Sequence, residues 1–123
     1  MAVQIERLEP GIIYLHYDKH MTMQDVVEAS SGSSQAARAA GDERFVSINH
    51  FEPGVRIPFD LHNLKQIVSD IDHPIGAIVI DAPLMTQLLG RMIDRLTPLR
   101  VIEAQDLDEA VVLARRLLAA EPA

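Results

Sequence analysis

The chain has 123 residues, 48% hydrophobic and 24% charged, with 18 acidic against 11 basic side chains and a formal charge of −7. That balance suits one globular domain able to bury roughly two thirds of its unfolded surface. The lack of cysteine excludes disulfides, thiolate metal sites and a cysteine nucleophile, and the negative charge disfavours phosphate backbones and anionic lipid surfaces. No apolar run approaches the roughly 18 residues of a membrane span, and Met1–Gln4 carries no targeting pattern, so a cytoplasmic protein with no membrane and no nucleic-acid partner is expected.

Gln4 to Leu8 alternates weakly and stops at Pro10-Gly11, a turn pair that leads into the apolar Ile12–Tyr17; the two segments predict a hairpin. Thr22, with Gln24 and Asp25 behind it, marks a helix start, and the helix runs from Met23 toward Ala40. Its middle, Ser30-Ser31-Gly32-Ser33-Ser34, is poor in helix formers. It reads either as a helix whose small side chains allow a close neighbour or as a mobile break between two short helices. Small residues over Ser30–Ala40 also suggest a close helix contact in a homodimer.

Gly41-Asp42 ends that region, and Arg44–Phe51 reads as a third strand closed by the Pro53-Gly54 turn. Leu61, Leu64, Val68 and Ile71 follow at helical spacing behind Asp60 and predict a second helix that Pro74 closes. Ile75–Ile80 is almost uniformly apolar, as a strand buried on both faces would be. Pro83 opens a third helix with Leu84, Leu88, Met92 and Leu96 on one face, stopped by Thr97-Pro98. Leu99–Ala104 is the last strand, and Asp106-Leu107-Asp108-Glu109 resembles a capping box opening a terminal helix through Leu118. The expected fold is therefore a single α/β domain over residues 1–123, with a mixed, mainly parallel five-stranded sheet and about four helices.

The chemistry-bearing residues form three groups. His16, Asp18 and His20 alternate, so on a regular strand they would share one face and offer imidazole and carboxylate to a divalent metal; ordinary solvated polar residues explain them as well, and no metal site is assigned. His50 and His62 flank the Pro53-Gly54 loop near Glu52 and Asp60, where they could act as acid and base or as a titratable contact, or never meet. Asp81 ends the central strand, where α/β sheets gather ligands, but it equally suits the cap of the third helix. Glycine-rich phosphate loops and the GxSxG frame are absent, and the aromatic content of 4% offers no stacking platform. No catalytic residue and no cofactor is assigned.

The order of segments, together with particular stretches of sequence, resembles the STAS domain superfamily of anti-sigma-factor antagonists, and especially its SpoIIAA-like branch. Arg44–His50 with the loop and helix from Asp60 looks like the family's central strand-loop-helix unit. The run Ala77-Ile78-Val79-Ile80-Asp81-Ala82-Pro83-Leu84 and the segment Leu88-Leu89-Gly90-Arg91 look like its fourth strand and third helix, and Val101-Ile102-Glu103 leading into Leu107-Asp108-Glu109-Ala110 looks like its closing strand and helix. Members that act as phosphorylation switches carry Asp-Ser-Ser/Thr-Gly at the start of the second helix, where this chain has Pro58-Phe59-Asp60-Leu61 and no hydroxyl.

The resemblance implies a non-enzymatic interaction module, not switched by Ser/Thr phosphorylation at that point. It would present Asn49, His50, Glu52, Arg56, Asp60 and His62 to a protein partner. The alternative it suggests is a carrier or sensor of a small apolar or acyl ligand held between helices and sheet near Leu84, Leu88 and Met92. A third reading is an acid–base enzyme built on His50, His62 and a neighbouring carboxylate.

Overall fold

The computed structural model describes residues 3–53, 74–81, 91, 95 and 100–120. Its elements are strands β1 (Val3–Glu9) and β2 (Ile12–Tyr17), helix α1 (Met23–Ala39), strands β3 (Val46–Phe51), β4 (Gly76–Ile80) and β5 (Arg100–Ala104), and helix α2 (Leu107–Ala119). The five strands form one sheet in chain order; β1 runs antiparallel to β2, and the pairs β2/β3, β3/β4 and β4/β5 are parallel. The expected second and third helices fall on segments outside the described residues, apart from Arg91 and Arg95, which are helical and exposed.

Hairpin formation rests on Gly11. Its φ of +80° belongs to the left-handed region, and a Cβ there would lie 3.0 Å from Leu118 Cδ1, so both the turn and the approach of α2 need glycine. The edge strand β1 carries an irregularity between Arg7 and Glu9 and two double-bonded ion pairs. Arg7 Nε and Nη2 donate to Asp42 at 3.0 and 2.9 Å, and Arg115 Nε and Nη2 donate to Glu9 at 2.7 and 2.8 Å. These guanidinium bonds hold both carboxyls below the ordinary carboxylate range. They tie the edge to the end of α1 and to α2, and a charged, irregular edge is poorly suited to pairing with another strand.

α1 is one continuous helix, so the mobile break at Ser30–Ser34 is not what forms. Tertiary contact overrides weak propensity there. A Cβ on Gly32 would stand 2.7 Å from Ile5 Cδ1, Ser33 and Ser34 are buried, and their hydroxyls donate to Ser30 O at 2.8 and 3.3 Å. The small side chains of Gly32, Ser33 and Ser34 let α1 lie close on the hairpin of its own sheet. Thr22 and Asp25 form a reciprocal capping box at one end. At the other, Gly41 (φ +83°) lets its own N–H reach Arg38 O at 3.0 Å and the Asp42 N–H reach Ala37 O at 2.9 Å, a Schellman closure. α2 is capped from one side only: Asp106 accepts from the Glu109 N–H at 2.8 Å.

The inner strands β2, β3 and β4 are covered on both faces. Ile13, Leu15, Tyr17, Phe45 and Phe51 meet Ala29 and Ala37 of α1, while Ile12, Val46, Ile48, Ile78 and Ile80 meet Ala110 and Ala114 of α2. Two-sided cover explains why β2 and β4 read as nearly continuous apolar runs. Ile48 is fully buried in the middle strand and Val112 is 45% exposed on α2. We therefore expect Ile48→Ala to cost about 2–5 kcal/mol in denaturant unfolding, and Val112→Ala to stay within about 0.5 kcal/mol.

Candidate functional site

Parallel pairing brings three chemistry-bearing side chains to one end of the sheet. His16 on β2 is in register with His50 on β3, and His50 with Ile80 on β4. Because side chains alternate along a strand, Tyr14 lies on the same face as His16 and His50. The Tyr14 hydroxyl is 2.8 Å from His50 Nδ1, and the His16 and His50 rings stand edge to face with centroids 5.6 Å apart. Asp81 follows β4 directly; its φ of +54° is one that aspartate tolerates better than most side chains, and its Oδ2 is 3.7 Å from His50 Nε2. The His50 side chain is 28% exposed and that of Asp81 58% exposed, so the chain Tyr14–His50–Asp81 leads from the sheet to solvent.

The geometry orders the protons. A neutral His50 with a bare Nε2 would turn a lone pair toward the Asp81 carboxylate, which is repulsive; with its hydrogen on Nε2 it turns a donor there and leaves Nδ1 to accept from Tyr14. Tyr14 is a fitting donor, because burial, with the Glu6 charge adding to it, pushes its phenol above the ordinary tyrosine range.

Asn49 and His50 are neighbours in sequence and part company in space. On the α1 face, Asn49 accepts from the Tyr17 hydroxyl at 3.0 Å and donates to Ser47 Oγ at 3.1 Å and Ile78 O at 3.4 Å, beneath the stacked rings of Tyr17 and Phe51. It is a sheet-bracing residue, and only His50 joins the site. Glu52 stands at the end of β3, where its N–H donates to Tyr17 O at 2.9 Å and its Oε2 accepts from the Lys19 N–H at 3.2 Å. Arg56, Asp60 and His62, like Leu84, Leu88 and Met92, lie outside the described residues, and so does any meeting of His50 with His62.

The alternation of His16, Asp18 and His20 does not survive folding. β2 ends at Tyr17, and Asp18 closes a turn, its Oδ1 accepting from the His20 N–H at 2.8 Å and its carbonyl from the Met21 N–H at 3.2 Å. Among the described residues no three His, Asp or Glu side chains converge as metal ligands. Tyr14 and Asp81 are the site residues that sequence reasoning did not join to His50; strand parity shows the link once β2, β3 and β4 are known to be neighbours. Comparison with family models, curated proteins and solved structures finds no match to this chain. Among the described residues no helix is long and apolar enough to cross a membrane.

Two outcomes follow from this geometry. Zinc or manganese should leave the melting temperature unchanged, since a ligand held by the folded state must raise it; a rise that disappears in His16→Ala would restore a metal site. Tyr17 is buried and its phenol is pushed up, as Tyr14's is. Unfolded tyrosines release their protons near pH ~10 while these folded ones still hold theirs, so stability should be intact below that pH and fall as pH rises above it. Unfolding midpoints measured with phenolate absorbance test this. Tyr17→Phe should flatten the fall, at a cost near neutral pH of about 1 kcal/mol for the lost bond to Asn49.

Proposed function

We propose that this chain is a non-enzymatic regulatory or protein-interaction module of the STAS-like kind, and that its partner-facing surface is the end of the sheet where β2, β3 and β4 finish. The observation that carries the reading is His50 held by the Tyr14 hydroxyl at 2.8 Å, with the Asp81 carboxylate beside its outer nitrogen. A polar group held by its neighbours loses little rotamer freedom on binding, which favours recognition. Glu52, tied to the Lys19 N–H, extends the same display.

The antiparallel first strand followed by parallel ones supports the resemblance at the level of the sheet. The full STAS-like order with four helices belongs to the proposal, as does action in the cytoplasm. Pro58-Phe59-Asp60-Leu61 supplies no hydroxyl for a kinase, so control of the module has to come from something other than phosphorylation at the start of the second helix.

The test is affinity capture from the cells that make the protein. His50→Ala and Asp81→Ala should lose the captured partner about tenfold or more, a loss worth about 1.4 kcal/mol. Both alter partly or largely exposed groups and should leave the fold intact by circular dichroism. Glu109→Ala, an exposed change on α2, should capture normally. Folded His50→Ala and Asp81→Ala proteins that retain the partner fully would remove this surface from the function.

A further inference from the structure

Three titratable side chains form a line from β2 through β3 to the residue that follows β4. Glu6 stands opposite Tyr14 in the β1/β2 register and is the charge that bears on its phenol; Tyr14 bonds His50 Nδ1 at 2.8 Å, and His50 Nε2 faces Asp81 at 3.7 Å. With His50 neutral, the Tyr14 O–H donates to Nδ1, and Nε2–H points at the carboxylate over a distance too long for a hydrogen bond. Asp81 is then free to accept from something else.

Adding a proton from solvent changes every link. Nδ1 now carries a hydrogen and no longer accepts, so it donates to the Tyr14 oxygen. The phenol hydrogen must then turn away from the ring. At the far end, a polar contact with Asp81 becomes an ion pair, which draws the carboxylate in.

We propose that Tyr14–His50–Asp81 is a proton-operated latch: protonation of His50 reverses the Tyr14 hydrogen bond and engages Asp81, withdrawing from a partner the acceptor that the neutral state leaves open. The withdrawal rests on the interaction reading of this surface; the reversal of the bond does not. His16 faces the same ring from β2, edge to face, with centroids 5.6 Å apart. From β3 itself, Glu52 is engaged by the Lys19 N–H. α2 meets this face through apolar side chains such as Leu107, Ala110 and Val111, while its Asp108, Glu109, Arg115 and Arg116 are exposed, as are Arg100 and Glu103 of β5.

The experiment is nuclear magnetic resonance on protein labelled with 15N-histidine and 13C-aspartate, from about pH 8 to about pH 5, the range in which histidine changes charge. At the upper end the His50 ring should be the Nε2–H tautomer, and Tyr14→Phe should turn it into a mixture. On acidification the Asp81 carboxyl carbon should move together with the His50 ring nitrogens, and in His50→Gln that movement should vanish. An Nδ1–H tautomer at the upper end, or an Asp81 signal that moves independently of the ring, overturns the latch. For the partner captured at neutral pH, binding should weaken about tenfold over the same range, and His50→Gln should flatten the dependence. Binding insensitive to pH while the ring and Asp81 move together overturns the withdrawal and leaves the reversal standing. If nothing is captured at any pH, the interaction reading fails, and the tautomer and carbon shifts still decide the latch.

Discussion

The parallel register of β2, β3 and β4 is the constraint on which the rest of the molecule depends. Strand side chains alternate with a period of two, so a slip of one residue exchanges the faces of the slipped strand. Here the register builds three successive rows on the α2 face: Ile12 with Val46 and Gly76, Tyr14 with Ile48 and Ile78, and His16 with His50 and Ile80. Polarity rises row by row toward the carboxyl ends. The last turns of α2 lie over the amino ends, with Leu118 against Gly11 and Leu117 against Gly76. Core and candidate site are two ends of the same rows, and no change of register could keep one and lose the other.

Close helix contact is what allows that register to be buried on both sides. α1 reaches β1 only because Gly32 leaves room for Ile5, and α2 reaches β2 and β4 only because Gly11 and Gly76 leave room for Leu118 and Leu117. A larger residue at any of these points would push a helix off the sheet or force a leucine or isoleucine tip to move. The polar groups such packing buries are satisfied locally: Ser33 and Ser34 on a helix carbonyl, Asn49 on Tyr17, Ser47 and Ile78.

How far the sequence was legible follows from which interactions are local. Strand positions came within one or two residues because apolar runs and flanking turns are neighbours in sequence, and Thr22 and Asp106 were readable as caps for the same reason. Ser30–Ser34 was ambiguous because its local propensity opposes helix, and the contact that decides it is with Ile5 on another element. Asn49 and His50 were read as one surface because they adjoin, but alternation on a strand buried on both sides sends them to opposite faces. Tyr14 read as one more apolar strand residue, since its hydroxyl finds its partner 36 residues away.

The same hydrogen bonds weigh on what kind of work the site can do. A general base needs a free lone pair within reach of the proton it removes. In the Nε2–H tautomer the lone pair of neutral His50 is on Nδ1, where Tyr14 occupies it, and the nitrogen that faces Asp81 carries the hydrogen. Using this ring as a base would first require breaking a bond that contributes about 1 kcal/mol and leaving a partly buried phenol without its acceptor. A fixed N–H beside an exposed carboxylate has no such obstacle to recognition, because the pair already offers one donor and one acceptor side by side at the sheet's end. With Nδ1 engaged by Tyr14, the nitrogen that His50 turns outward is Nε2, beside the Asp81 carboxylate.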